Sequence, residues 1–454
     1  MFDDTICAVS TAFSEAGINV IRVSGKDSIS ITNSIFKGKN LIKQKSHTIS
    51  YGYIVNQNNE VIDEVLVSVF RAPRTFTRED VCEINCHGGK FVTNKILEML
   101  LLKGCRLALR GEFTKRAYLN GRIDLLKAEA IQDIIEADSD ITLNLAKNKL
   151  FGNTSNMVTN FRNLILELVA KLNVSIDYPE YDDEYEVTNE IIKPEIIKLK
   201  AEINKIIENA KKGNLLKNGI KILILGKPNS GKSSILNMLL QEDKAIVTNI
   251  PGTTRDVVEG FINLNGIKLH LLDTAGIRKT SDIVEQIGVD KSLALIDEAN
   301  LILLVIDNSN ITEEDYNLIE QTKDKKRIII LNKSDLNDNV NDQLQKLNNV
   351  ILLSTLDSNT GLDVLEKEIL KSVEINNLEK NNELYYLTNA RHLACLEKVL
   401  GSINDCLLSI EIGNPLELIE LDLKDAYNVL GEILGDTYKD SLLDEMFSKF
   451  CLGK

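Results

Sequence analysis

The sequence predicts a mixed α/β plus α fold: an N-terminal α/β domain, a helical bundle, and a second α/β domain inserted between the two halves of that bundle. Three observations carry this expectation. Residues 1–118 alternate short strand-like runs with one clear helical stretch. Apolar residues at 3–4 spacing mark two blocks, 119–215 and 377–454. Between them, in 216–376, the apolar run Ile222 to Leu225 leads directly into Gly226-Lys227-Pro228-Asn229-Ser230-Gly231-Lys232-Ser233, a G-x-x-x-x-G-K-S phosphate loop.

In the N-terminal domain, Ile18 to Val23, Thr48 to Val55, Glu64 to Phe70 and Asp80 to Asn85 read as strands. Phe91 to Leu102 reads as a helix after the His87-Gly88-Gly89 turn. Alternation along Val81 to Cys86 puts Cys82, Ile84 and Cys86 on one apolar face, so Cys82-x-x-x-Cys86-His87 reads as buried thiols rather than a metal cluster. Arg22, Glu83 and Arg122 are charges in apolar or tight-turn surroundings, though each taken alone is most simply a solvated strand-face charge. The seven cysteines have no disulfide or zinc spacing, which points to a reducing, cytoplasmic setting. No apolar run reaches the roughly 18 residues needed to span a membrane, so no membrane association is expected. Net charge is −14, against nonspecific nucleic-acid binding by bulk charge; residues 1–118, however, hold 16 basic against 12 acidic residues. Any anionic ligand beyond the one at the phosphate loop is therefore better sought in that domain.

From about 119 the period becomes helical. Ile131, Ile134, Ile135, Ile141 and Leu145 are expected to share one face, and Phe161, Leu164, Ile165, Leu168, Val169, Leu172 and Ile176 a second. Asp177 to Glu186 is an acidic solvated loop, Pro194 suits a helix start, and Ile196, Leu199, Ile203, Ile206 and Ile207 give a third stripe. Gly213 to Gly219 marks a boundary. After residue 376 the helical period returns at Leu393, Leu396, Leu400, Ile403 and Leu407 and continues from Leu416.

The inserted domain carries four spaced motifs, each ending a strand. In the phosphate loop, glycines let successive N–H groups turn toward a phosphate chain, and the following helix adds its positive end. There Lys232 is placed to reach the β and γ phosphates and Ser233 to ligate Mg²⁺; Asn229, Ser230, Gly231 and Ser234 complete the cradle. Asp273-Thr274-Ala275-Gly276 brings a carboxylate towards Mg²⁺ through water. Asn332-Lys333-Ser334-Asp335 resembles the guanine-reading N-K-x-D of GTPases: the Asp335 carboxylate accepts from guanine N1–H and N2–H, which adenine does not offer. Ser354-Thr355-Leu356 resembles the loop that meets guanine O6. Pro251-Gly252-Thr253-Thr254 resembles a switch I loop, with Thr254 as second protein ligand to Mg²⁺ and Asn249 just before it. These motifs predict a Ras-like P-loop GTPase domain.

Outside that domain stand DTICAVST, GINVIRVSG, RTFTREDVCEINCHGG, LRGEFTKRAYLNGRIDLLKAEAI and the ending FSKFCLGK. With them the chain resembles, over essentially its whole length, the family of tRNA-modification GTPases MnmE (TrmE). The resemblance implies a GTP hydrolase that, with an MnmG-like flavoprotein in a hetero-oligomer, adds an aminomethyl or carboxymethylaminomethyl group to C5 of the tRNA wobble uridine. It implies a homodimer whose N-terminal domain binds 5-formyl- or methylene-tetrahydrofolate through Arg22, Glu83, Arg122 and Lys454, with Cys451 either taking part in chemistry or packing. Arg and Lys suit the pterin and glutamate-tail oxygens, and Glu83 can accept from the 2-amino pyrimidine edge. Arg122 stands where the family usually has Lys, keeping the charge with a different reach. For hydrolysis, Ile277 occupies the place of the water-orienting Gln of Ras-like proteins. The resemblance implies instead K⁺ held by Asn229, Thr248, Ile250 and Thr253 on G-domain pairing, and Glu285 as the water-orienting acid beside catalytic Lys232. Two rivals share the motifs. A ribosome-assembly GTPase would bring a basic tail or a KH-like GxxG, and a free-standing one-carbon transferase would bind folate through residues 1–118 alone.

Overall fold

The structure, a computed structural model, describes residues 3–178, 186–240, 260–264, 267–272, 295–336, 344, 347–355, 358–372, 387, 389–436 and 440–453. The chain divides into two compact units. One comprises residues 1–136, 146–203 and 394–454, the other 137–145 and 204–393.

The first unit opens with a seven-stranded sheet of β1 (Ile6–Val9), β2 (Ile18–Ser24), β3 (Phe36–Gly38), β4 (Thr48–Val55), β5 (Val61–Phe70), β6 (Val81–His87) and β7 (Arg106–Leu107). Their order is β3-β4-β5-β6-β2-β1-β7, antiparallel except for the β1–β7 pair. Helices α1 (Ser28–Ile35) and α2 (Lys90–Leu102) pack against it. Alternation along β2 and β6 buries Ile21, Val23, Cys82, Ile84 and Cys86 among the α1 and α2 side chains. Both thiols are therefore core, and burial pushes the Cys82 pKa up to about 12. The intervening residues take the opposite face, and the β2–β6 register sets Arg22 directly across from Glu83.

Among the elements of this unit not expected from sequence are β3, β7 and three that matter more. Strand β1 is only four residues long, and α1 is a stretch of Ser, Thr and Asn among isoleucines. The third is α3 (Glu112–Leu119), whose Arg116 is fully buried and paired with Asp4, Glu79 and Glu112. The bundle follows with α4 (Leu125–Glu136), α5 (Asp140–Leu150), α6 (Asn153–Asp177) and α7 (Lys193–Asn218). Its later helices are α11 (Ala390–Ile412), α12 (Leu416–Leu434) and α13 (Asp440–Ser448). α6 lies along α12, and Phe161, Ile165, Leu168, Val169 and Leu172 are buried, as the second stripe requires.

Two expectations change. The face through Ile131, Ile134, Ile135, Ile141 and Leu145 is split, because the helix breaks between Glu136 and Asp140 and none of the five is fully buried. The buried face of α4 is instead Leu125, Leu126, Ala128, Glu129 and Ala130. Nor do residues 213–218 interrupt the chain: α7 runs through Gly213, and only Gly219 leaves it, at φ +80°. Burial of Ile206, Ile207, Ala210 and Leu216 outweighs the roughly 1 kcal/mol that a helical glycine costs.

The second unit holds a six-stranded sheet ordered β13-β12-β11-β8-β10-β9. It comprises β8 (Ile220–Leu225), β9 (Gly260–Leu264), β10 (Ile267–Leu272), β11 (Leu301–Asp307), β12 (Arg327–Asn332) and β13 (Val350–Leu352). All neighbours are parallel except β9 with β10. α8 (Lys232–Leu239) and α10 (Ser358–Ser372) help cover one face, and α9 (Glu313–Gln321) the other. In such sheets ligands bind beyond the carboxyl ends of the strands, which is where the loops after β8, β12 and β13 lie.

Candidate functional site

β8 delivers the chain to the phosphate loop, and α8 starts at Lys232. The loop conformation explains its glycines. Gly226 has φ +149°, and a Cβ there would meet the Val305 carbonyl at 2.2 Å; Gly231 has φ +103°, and a Cβ there would meet Asn332 Nδ2 at 1.9 Å. That amide donates to the Ser230 carbonyl at 2.9 Å, so the first residue of N-K-S-D buttresses the phosphate loop. Lys232 lies over the loop, donating to the carbonyls of Gly226 and Lys227 at 2.7 and 2.6 Å. Burial lowers its pKa, so an anionic phosphate chain would recover the solvation that the ammonium lost. Asn229 stands exposed at the apex with φ +61°, and Ser233 and Ser234 are exposed on the first turn of α8. The Ser233 hydroxyl is a hard oxygen of the kind Mg²⁺ takes, beside the positive end of a helix.

The residues expected to read the base come together in the same unit. Lys333 holds a left-handed φ of +61° and pairs with Asp307 at the end of β11. Burial opposes ionisation of Asp307, but bonds from Lys333 and Ser309 outweigh it and hold its pKa below the usual value. Ser354 Oγ donates to Asp335 Oδ1 at 2.6 Å, which fixes the carboxylate between the two loops. Thr355 follows directly. Thr248, Asn249, Ile250, Pro251, Gly252, Thr253, Thr254, Asp273, Thr274, Ala275, Gly276, Glu285 and Leu356 lie outside the described residues.

Sequence reading missed the clamp behind these loops. Lys227 bonds to Asp315 and Thr312, both at 2.7 Å, and Asp315 is fully buried inside the capping box that starts α9. Asp307 and Asp315 thus hold Lys333 and Lys227 from the two ends of one segment. The sequence cue was D-N-S-N-I-T-E-E-D, an acid at a strand end followed by a helix cap. Asp315→Asn keeps the shape but would bury an amide without its partners, at a cost of about 1–3 kcal/mol. The expected result is weaker GTP binding with kcat nearly unchanged. Titration with GTP checks it, and wild-type affinity would show that Lys227 is held in some other way.

A second site lies in the first unit. A cleft of about 480 Å³ is lined by Arg22, Glu83, Phe76, Arg78 and Arg122, among others. Arg22 Nε and NH2 meet Glu83 Oε1 at 2.9 and 2.8 Å, leaving Oε2 as an acceptor with no bond among the described residues. Arg122 donates to the Phe76 carbonyl at 2.7 Å and lies 4.9 Å from that ring. The loop between β5 and β6 that supplies Phe76, Arg74 and Arg78 was also missed; its signal was three arginines, Arg71, Arg74 and Arg78, within eight residues.

The C-terminal segment reaches Arg22, one of the residues of this cleft. Phe447 and Phe450 are buried with ring centroids 5.1 Å apart, packed with Leu125, Ala128 and Leu443. Gly111, at φ +66°, permits this approach, since a Cβ there would meet the Phe447 carbonyl at 2.5 Å. Beyond them the Gly453 carbonyl accepts from Ser10 Oγ at 3.2 Å and faces Arg22 NH1 at 3.5 Å. Cys451 is exposed, its carbonyl taking the Gly111 N–H at 3.4 Å; Lys454 lies outside the described residues.

Residues 5–122 match the family described as GTP-binding protein TrmE N-terminus, and residues 125–451 match the MnmE helical domain. The chain is 48% identical to the tRNA modification GTPase MnmE of Ligilactobacillus salivarius (strain UCC118), over 99% of this chain and 98% of that protein. It is also 48% identical to the tRNA modification GTPase MnmE of Bacillus mycoides (strain KBAB4), over 99% of both. Among solved structures, the G domain of the T. maritima FeoB iron transporter is 30% identical, covering 34% of this chain and 98% of that one at a TM-score of 0.27.

Proposed function

This chain belongs to the MnmE family of tRNA modification GTPases, and we propose that it uses GTP hydrolysis to drive addition of an aminomethyl-type group to C5 of the wobble uridine. It is a GTPase acting in tRNA modification. In the finer reading it works as a homodimer with an MnmG-like flavoprotein, and a tetrahydrofolate derivative supplies the one-carbon unit in the cytoplasm. Arg22 and Lys454 would hold anionic and carbonyl oxygens of that carrier, Glu83 Oε2 would accept from its amino-pyrimidine edge, and Arg122 would cover the ring over Phe76.

One observation supports this reading most: Arg22 of the cleft, paired there with Glu83, is also met by the Gly453 carbonyl from the opposite end of the chain. A domain that only anchored a switch would not need that meeting. The test is nucleoside analysis of tRNA from a strain lacking the protein, where the C5-modified wobble uridines should vanish and return on complementation. Their persistence would sink the proposal.

For hydrolysis, the exposed Asn229 and the absence of a glutamine at Ile277 favour a monovalent cation as the transition-state charge. Thr248, Ile250 and Thr253 would add oxygens to it, and Glu285 would orient water. Replacing K⁺ with the smaller Na⁺ is expected to lower kcat about tenfold or more. GTP turnover in the two salts at equal ionic strength measures this, and equal rates would rule the cation out.

A further inference from the structure

The N-terminal cleft carries more positive charge than its walls neutralise. Arg22, Arg74, Arg78 and Arg122 line it against one carboxylate, Glu83, which Arg22 already engages. Arg78 donates to the Asn120 carbonyl at 2.9 Å and Arg122 to the Phe76 carbonyl, neutral acceptors that leave both charges standing. The acids nearest in sequence serve elsewhere: Glu79 accepts from Arg116 and Ser24, and Asp80 from the Ala72 N–H. Arg122 registers the excess, its pKa lowered by burial and further by Arg78.

Burial sorts the lining into a floor and a rim. Arg22, Glu83, Phe70 and Phe76 are half-buried, whereas His47, Arg74, Arg78 and Arg122 are exposed. The floor offers paired polar groups and ring faces to a flat head group. The rim offers Arg74 and Arg78 on the loop between β5 and β6, with Arg122 from after α3, to something flexible and polyanionic that leads out of the cleft.

We propose that Arg74 and Arg78 bind a chain of carboxylates, the poly-γ-glutamate tail of a folate whose head occupies the floor. This rests on the folate reading given above. A nucleic acid is the other polyanion available, but concavity, a volume of about 480 Å³ and the net charge of −14 favour a small ligand with a charged tail.

The test uses the full-length protein and compares 5-formyl-tetrahydrofolate as monoglutamate and as pentaglutamate by calorimetric titration. The double variant carries Arg74→Ala and Arg78→Asn, the second chosen because Arg78 sits at φ +60°, which Asn tolerates. Wild type should bind the pentaglutamate about tenfold tighter, an advantage that shrinks as salt rises, as expected for two partly exposed charge pairs. The double variant should keep the monoglutamate affinity and lose the preference. Equal binding of both forms by wild type would overturn the proposal and leave the folate reading intact; binding of neither would overturn both. A preference surviving in the double variant would place the tail elsewhere. If the variant instead lost tRNA affinity and kept the preference, the rim would belong to RNA, and the proposal would fail.

Discussion

Asp335→Asn is expected to weaken GTP binding by about 2–4 kcal/mol, on the order of 30-fold to 1000-fold, and to shift preference towards xanthine nucleotides. The carboxylate is an acceptor at both oxygens, and Oδ1 is steadied by the Ser354 hydroxyl at 2.6 Å. An amide turns one acceptor into a donor, which then confronts the donor edge of guanine. Xanthine carries a carbonyl where guanine carries its amino group, so the same amide becomes complementary. The phosphate loop is untouched, because its buttress is Asn332 rather than Asp335. Parallel titrations with GDP and XDP would measure the switch, and unchanged GDP affinity would remove Asp335 from the site.

Deleting Leu452 to Lys454 is expected to abolish most tRNA modification while GTP turnover stays near normal. The deletion removes the Gly453 carbonyl from Ser10 and Arg22, together with the cation of Lys454, but leaves Phe447 and Phe450 to anchor the helix end. On the folate reading proposed above, losing the Lys454 charge should cost about 1.5–3 kcal/mol, roughly a tenfold to hundredfold loss of folate affinity. The nucleotide site lies in the other compact unit, so its own chemistry should continue. The purified truncated protein would be assayed for GTP turnover and folate affinity, with complementation of a null strain alongside. Full modification by the truncated protein would reduce the tail to packing.

Much of the fold was legible because the signals are local. The phosphate loop, N-K-S-D and the strands before them declare themselves within a dozen residues, and so do the 3–4 stripes of α6 and α7. What stayed hidden depends on partners far away in sequence. Nothing local in G-E-F-T-K-R-A-Y announces a buried charge, yet Arg116 is fully buried because Asp4, Glu79 and Glu112 surround it. Lys227 looks like a neutral filler of the phosphate loop until β11 and α9 bring Asp315 to it. Arg22 and Glu83 were picked out as odd charges, but only the β2–β6 register makes them a pair. The stripe from Ile131 to Leu145 misled because an unbroken period does not reveal a break after Glu136.

The bond from Ser10 to Gly453 joins residues 443 positions apart, and this orders events during synthesis. The N-terminal sheet can form as soon as residue 107 has cleared the ribosome, because all seven of its strands precede that point. The contacts of Gly453 with Ser10 and Arg22 cannot form until Gly453 has been made, on the order of 17–70 s later at about 5–20 residues per second. During that interval the nascent sheet would have its core and its cleft but not the C-terminal contact on Arg22. A message cut short anywhere in the final few codons would therefore yield a chain whose Arg22 lacks that contact, and on the folate reading proposed above it would turn over GTP while binding the one-carbon carrier less well.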